Sequence, residues 1–162
     1  MAHWVDELAD AEELTEAKAN ARAAEALAAG IRIQAEAPDY LRLLGMELRE
    51  IGRKLSEKPN LHLSASVTDN SEPEVESRLH VQVSSNAGWP EVTYTDIFHG
   101  IGQSVIRCHT AEGTAFRLHF AARSGGCAVG VYAEDGNGRV MTPAQAARYI
   151  VEPMVKRVSV RN

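Results

Sequence analysis

The sequence predicts an α+β protein in which helices cover one face of an antiparallel β-sheet of five to six strands. Over residues 1–58 the apolar positions recur every three or four residues, whereas after Pro59 they alternate with polar ones. Short turn signals separate the alternating runs, which is typical of a β-meander. We expect residues 1–58 to form a helical segment and residues 59–162 a sheet followed by a C-terminal helix, together one cooperative domain.

Composition limits the classes of partner. The 162 residues are 44% hydrophobic and carry a net charge of −5, which argues against broad nucleic-acid binding and against an anionic membrane surface. No apolar run approaches the roughly 18 residues that cross a bilayer, and the chain starts acidic where a secretory leader is basic. Cys108 and Cys127 are too few for a disulfide framework. We therefore predict a cytoplasmic protein with free thiols and no membrane partner.

The first predicted helix runs from Asp6 to Ala29 and ends near Gly30. Its apolar seam has helical spacing and consists of Leu14, Ala17, Ala21, Ala24, Ala28 and Ile31. Because this seam is mostly alanine, it buries little area per turn. Two alternatives stay open: the helix packs closely against a partner helix, or it is partly exposed to solvent and mobile.

A second helix is predicted after a break near residues 30–38, starting at Pro38 and Asp39. Its apolar stripe consists of Leu41, Leu44, Leu48, Ile51 and Leu55. Such a stripe suits either the face of a sheet or a two-fold helix pairing. Packing on the sheet is the more common outcome, and we favour it.

A C-terminal helix is predicted to start at Thr142, with Pro143 at the first helical position and Gln145 completing a capping box. Its buried stripe consists of Ala147, Ile150, Val151, Met154, Val155 and Val158. Pro153 lies inside that stripe and is expected to kink or restart the helix.

Two turns predict the register of the last strands. A turn centred on Glu112-Gly113 pairs Cys108 with Arg117, and one centred on Gly125-Gly126 pairs His119 with Tyr132 and Arg117 with Glu134. The resulting apolar side carries Val105, Phe116, Leu118, Phe120, Val129 and Val131. Cys108 and Cys127 fall on strands separated by a third, beyond disulfide reach, so we predict no bond between them.

The opposite, polar side of this sheet is the candidate binding surface. It carries Arg117, His119, Tyr132, Glu134 and Cys108, with His62 and His80 as further candidates that meet if their strands pair. Polar residues alternate outward on any half-buried antiparallel sheet, so this composition alone favours an ordinary surface over a binding site. Trp89, between Gly88 and Pro90 in a loop, is either an anchor for a partner or a cover over the sheet edge.

No catalytic, cofactor or metal site is predicted. Cys108 and His119 would be diagonal neighbours, but no third orienting group accompanies them. The cluster of Asp96, His99 and Ser104 does not match a nucleophile elbow, and the glycines between them are explained by a sharp bend of the chain. The histidines lack the spacing of metal ligands.

The leading hypothesis is therefore a non-enzymatic protein-interaction module, as in an accessory, inhibitor or chaperone-like protein, that acts as a homodimer through its helices or its sheet. The alternative is that the open polar face binds a small anionic ligand or single-stranded nucleic acid, with Arg117, His119 and Tyr132 supplying charge and stacking.

Overall fold

The computed structural model describes residues 3–86, 91–122 and 128–160 and confirms the α+β class. A short 3-10 turn at Pro59–Leu61 joins the first helix to the sheet. The elements, in chain order, are α1 (His3–Ser56), β1 (Leu63–Asp69), β2 (Glu76–Ser85), β3 (Glu91–Gly100), β4 (Val105–Thr110), β5 (Ala115–Ala121), β6 (Gly130–Ala133) and α2 (Pro143–Val160).

The six strands form one antiparallel sheet in the order β1-β2-β3-β4-β5-β6, so the predicted meander is confirmed. Alternate side chains of each strand point to opposite faces. We call the face packed against the helices the inner face and the other the outer face. The centre of the core is supplied by fully buried inner-face residues, among them Val81, Val83, Ile97, Ile106, Leu118 and Val131.

The helical segment is a single helix, so the predicted break near residues 30–38 is wrong. Proline inside a helix removes one hydrogen bond, here the one that the carbonyl of Gln34 would accept. Pro38 and Gln34 are both exposed, so water can satisfy that carbonyl, while buried Ala37 and Tyr40 hold the helix on either side. Tertiary packing therefore overrides the local signal.

Only the second half of α1 packs on the sheet. Leu41, Leu44 and Leu48 are buried and Ile51 and Leu55 half-buried, which confirms that the predicted stripe covers the sheet. The Tyr40 ring lies edge-on to Phe120, 5.4 Å between centroids, and its hydroxyl donates to the carbonyl of Met141 at 3.1 Å. By contrast, every residue from position 3 to position 28 is exposed. We call residues 3–28 the arm.

The predicted start of α2 is confirmed. The backbone amide of Gln145 donates to the Thr142 hydroxyl at 3.3 Å, and the backbone amide of Thr142 donates to the side-chain oxygen of Gln145 at 3.0 Å. Together these two hydrogen bonds form a complete capping box. The helix continues through Pro153 to Val160, so it is not restarted there. Its predicted stripe is buried, except that Val155 is half-buried.

The predicted register of β4 against β5 is wrong by one residue. Cys108 lies opposite Phe116 and Ile106 opposite Leu118. The connecting loop has three residues, with the Gly113 amide donating to the Thr110 carbonyl and Gly113 at φ +83°. A turn followed by a left-handed glycine favours this longer loop over the two-residue turn that we assumed. A slip of one residue moves every side chain of β4 to the other face.

The register of β5 against β6 agrees with the prediction. His119 pairs with Tyr132, and the Glu134 amide donates to the carbonyl of Arg117 at 3.2 Å. The predicted turn Gly125-Gly126 and Cys127 lie outside the described residues. The expected absence of a bond between Cys108 and Cys127 is therefore untested, although Cys108 itself is a buried free thiol.

Candidate functional site

The outer face carries a row of cationic and aromatic side chains across its middle. In this row Arg78 of β2 pairs with Phe98 of β3, Phe98 pairs with Arg107 of β4, and Arg107 pairs with Arg117 of β5. Directly paired residues have their Cβ atoms about 4.5–5.5 Å apart on one face. We call these four residues the arginine row. It places three arginines on neighbouring strands of the open face.

Phe98 organises the row. The guanidinium carbon of Arg78 lies over its ring at 4.8 Å from the centroid, and that of Arg107 lies at 5.9 Å. Cation–π contacts of this kind hold guanidinium groups in place. The ring of His109 lies edge-on to Phe98 at 5.4 Å. The aromatic ring is therefore surrounded by cationic and imidazole groups.

Beside the arginine row, the outer-face residue His80 contacts both Asp96 and Tyr94. The Nδ1 atom of His80 lies 2.7 Å from the carboxylate of Asp96, and its ring packs against Tyr94 at 5.2 Å. Tyr94 is 39% exposed, so part of its ring is accessible on this face. Among the described residues, no ion pair joins Asp96 to an arginine of the arginine row.

Three of the predicted site residues meet at the β5–β6 side of the outer face. The rings of His119 and Tyr132 stack at 5.2 Å with an interplanar angle of 18°. The carboxylate of Glu134 lies 3.6 Å from Nε2 of His119. Arg117, the fourth, sits on the same face in the arginine row and is exposed. The placement of these four residues on the open face agrees with the prediction.

Cys108 is not part of this surface, so its predicted place on the polar side is wrong. It lies on the inner face, is 0% exposed, and burial raises the pKa of its thiol to about 12. Val105, predicted to be on the apolar side, instead pairs with His119 on the outer face. Both errors follow from the one-residue slip of β4. Trp89 lies outside the described residues.

The catalytic arrangements considered from the sequence do not form. Cys108 and His119 lie on opposite faces of the sheet, and so do Asp96 and His99. His99 is buried and its Nε2 lies 2.9 Å from the carbonyl of Gln103, while burial lowers its pKa. His80 pairs with Thr68, whereas His62 precedes β1, so the two histidines do not meet.

Sequence reasoning missed Arg78, Phe98 and Arg107, which form most of the arginine row. The signal that would have found them is the register of β2, β3 and β4 together, since only correct pairing places the three in line. The wrong register of β4 turned Arg107 towards the core.

A second concave region lies on the inner face, between α2 and the β4–β5 hairpin. This groove of about 640 Å³ is lined by apolar residues such as Phe116 and Tyr149, whose rings are 5.9 Å apart. Its charged residues are paired: Lys156 with Glu152 at 3.2 Å, and Arg157 with Glu112. The groove therefore offers apolar contact beside cations that already have carboxylate partners, although Glu152 is shared between Lys156 and Arg148.

Comparison of the chain with known protein families, characterised proteins and solved structures gave no match. Among the described residues, no helix has the length and apolarity needed to cross a membrane. Within the same ranges no three His, Cys, Asp or Glu residues come together as metal ligands would. Any functional conclusion therefore rests on the exposed surfaces of this chain.

Proposed function

We propose that this protein is a non-enzymatic protein-interaction module that acts as a homodimer through its arm, in the manner of an accessory, inhibitor or chaperone-like protein. One observation carries the proposal: the arm is helical over its whole length, yet every one of its residues is exposed. A helix of this length spans about 39 Å. An isolated helix is only marginally stable in water, and most helices in proteins are stabilised by tertiary packing. The arm therefore gains stability when a partner covers it.

The seam that sequence periodicity identified supplies a surface for that partner. The arm seam consists of Leu14, Ala17, Ala21, Ala24, Ala28 and Ile31, with alternating spacings of three and four residues. This is the a/d spacing of a coiled coil, and alanine at its centre lets two helices approach closely. At its two ends Leu14 is 58% and Ile31 61% exposed.

The direction of the arm seam favours a second copy of the chain as the partner. The residues of α1 that pack on the sheet are Ile33, Ala37, Tyr40, Leu41, Leu44 and Leu48. At 3.6 residues per turn, the arm seam points about 180° away from this buried stripe. Two arms can therefore pair along their seams while the two sheets remain on the outside of the dimer. Because α1 is continuous, the arm seam faces away from the sheet of its own chain.

Charge gives the dimer a distinctive salt dependence. Residues 3–28 carry seven carboxylates against two basic side chains, and their net charge of −5 equals that of the whole chain. Two paired arms therefore repel each other electrostatically. At 0.1 M salt, exposed charges more than about 10 Å apart are largely screened from each other. We expect association to strengthen as the salt concentration rises, opposite to an interface held by ion pairs.

Sedimentation and light scattering across a wide range of concentration test the proposal. We expect a species of twice the 17.6 kDa chain mass at high concentration, with helicity at 222 nm that rises as the dimer forms. The double variant Ala21→Glu/Ala24→Glu places two charges at the centre of the arm seam and should remain monomeric. A strictly monomeric wild-type chain at high concentration and high salt would overturn the proposal.

The matched control is Ala19→Glu/Ala26→Glu, which adds the same two charges to the opposite side of the same helix. Glutamate is a good helix former, so neither pair of substitutions breaks the arm. The control should dimerise nearly as well as the wild type at high salt. Equal loss of dimer in both variants would mean that general acidity, and not the arm seam, governs association. The cytoplasmic location that the sequence predicts remains part of this proposal.

A further inference from the structure

The arginine row contains a directly opposed pair of like charges. Arg107 and Arg117 are directly opposite each other on β4 and β5, and both are exposed. Like charges in directly opposed positions destabilise a sheet. A neutral polar residue at either position would keep the alternation of the strand without this cost. The pair therefore calls for an explanation outside the stability of the sheet.

Local acids compensate only part of the charge. Glu76 lies 3.5 Å from Arg78 and 3.9 Å from Arg107, so one carboxylate is shared between two guanidinium groups. Glu134, which sequence pairing placed opposite Arg117, directs its carboxylate to His119 and reaches Arg117 only through a backbone hydrogen bond. Within the described ranges, the Arg117 side chain has no hydrogen bond or ion pair. Positive charge is thus left uncompensated at the Arg107–Arg117 end of the row.

The chemistry of this end fits a phosphate group. Guanidinium groups bind phosphate oxygens through paired N–H donors, and two opposed arginines can grip one phosphate from both sides. Phe98 fixes the guanidinium of Arg107 by a cation–π contact, so part of the site is already arranged before binding. The same ring is surrounded by Arg78, Arg107 and His109, and so is not available as a stacking platform for a base. The site thus favours a phosphate over a nucleobase.

We propose that Arg107 and Arg117, with Arg78 beside them, bind the phosphate group of a small phosphorylated molecule on the outer face. The bound anion removes the repulsion between the two opposed arginines and completes their hydrogen bonds. This site is separate from the arm and does not depend on dimerisation. The proposal assigns the anion binding predicted for the open face to the arginine row, and it names phosphate as the group that is bound.

Calorimetric titration of the full chain with inorganic pyrophosphate, at low salt, tests the site. We expect saturable binding to wild type and a weakening of about tenfold or more in Arg117→Gln and in Arg107→Gln, since a charge-assisted hydrogen bond is lost. The control Arg148→Gln removes the same charge from α2, on the other side of the sheet, and should bind as wild type does. Absence of binding to wild type, or equal weakening in the control, would overturn the proposal.

A second measurement separates a binding role from a structural one. In phosphate-free buffer, Arg117→Gln should be at least as stable as wild type to urea, because the like-charge contact is relieved. Pyrophosphate should raise the melting temperature of wild type and leave that of Arg117→Gln nearly unchanged. Lower stability of Arg117→Gln without ligand would contradict the proposal.

In the last part of the experiment, the full chain is titrated with a single-stranded oligonucleotide. Binding of the oligonucleotide that is lost in Tyr94→Ala but retained in Arg117→Gln would point to base stacking on the outer face and would overturn the phosphate assignment. None of these measurements uses the arm, so failure of the phosphate site and failure of the homodimer are distinguished.

Discussion

Cys108 of β4 lies directly opposite Phe116 of β5, with its side chain on the inner face of the sheet. Its thiol is 0% exposed, and burial raises its pKa to about 12. Modification requires a thiolate that the reagent can reach. Both conditions are absent at Cys108 in the folded protein, which makes this thiol a reporter of opening of the sheet.

We predict that Cys108 is unreactive towards thiol reagents in the native protein at pH 8. The measurement uses the Cys127→Ser variant, so that Cys108 is the one remaining thiol, and follows the colour released by a disulfide reagent. Reaction should be complete within the mixing time in denaturant and slower by several orders of magnitude without it, because it then waits for unfolding.

The double variant Cys127→Ser/Cys108→Ala serves as the blank for this assay. Native Cys108 that reacted as fast as the thiol of the denatured chain would place it on the surface. It would also contradict the register of β4 against β5.

The elements of the fold could be predicted because their signals are local. The capping box at Thr142 and the alternation along β2 and β5 each occupy a few residues, and nothing distant opposes them. The continuous α1 could not be predicted, since Gly30 and Pro38 are ordinary helix breakers. Helix continuity at Pro38 depends on the burial of Ala37 and Tyr40, and Tyr40 contacts Phe120 and Met141, which lie far along the chain where no local pattern can register them.

The candidate site was predicted in part for the same reason. Arg117, His119 and Tyr132 lie on two strands whose register followed from one turn, and their shared face was inferred correctly. Placing Phe98 and Arg107 in the arginine row required the registers of β2, β3, β4 and β5. Of these, only the register of β4 against β5 was predicted, and it was wrong by one residue. A slip of one position exchanges the two faces of a strand. The error of one residue in the turn therefore placed Arg107 on the inner face, and the arginine row was not predicted.

Close packing of α1 on β1 predicts opposite effects of alanine at two glycines of the same helix. A Cβ atom at Gly52 would lie 2.6 Å from the carbonyl oxygen of Ala65, whereas at Gly45 it would meet side chains at 3.6 Å or more. We expect Gly52→Ala to lower the free energy of unfolding by about 1–3 kcal/mol, as overpacking does. Gly45→Ala should be neutral or stabilise by up to about 1 kcal/mol, because alanine is the better helix former.

Urea unfolding of the two variants side by side measures this difference. Gly45→Ala is the matched control, since it makes the same change in the same packed half of α1. Equal stability of the two variants would contradict the close approach of α1 to β1.

The capping box predicts how much the Thr142 hydroxyl contributes to the free energy of unfolding. Thr142→Ala removes the hydroxyl that accepts from the Gln145 amide, and should lower the free energy of unfolding by about 1 kcal/mol. Thr142→Ser keeps the hydroxyl and should lose only a small part of this. The measurement is chemical denaturation, in which the midpoint should fall while the slope of the free energy of unfolding against denaturant concentration stays unchanged. A serine variant as unstable as the alanine variant would show that the methyl group, and not the cap, matters at this position.

Burial of His99 predicts that stability declines in mild acid. His99 is 2% exposed, and desolvation lowers its pKa below the ordinary value near 6.5, although the bond to the Gln103 carbonyl partly opposes this. Below about pH 6.5 the unfolded chain binds a proton at His99 that the native protein does not, so the free energy of unfolding falls as pH falls. The decline ends once the pH passes below the native pKa, and its slope for one group is at most about 1.4 kcal/mol per pH unit.

The measurement is urea unfolding from pH 7.5 down to pH 5 for wild type, His99→Gln and His62→Asn. Glutamine does not titrate, so the stability difference between wild type and His99→Gln should shift towards the variant as pH falls. His62 is exposed and adopts φ 55°, a conformation that asparagine tolerates, so His62→Asn should follow the wild-type profile. A constant difference between wild type and His99→Gln over this range would mean that His99 titrates alike in the folded and unfolded chains. The buried imidazole would then have no part in the acid sensitivity of the fold.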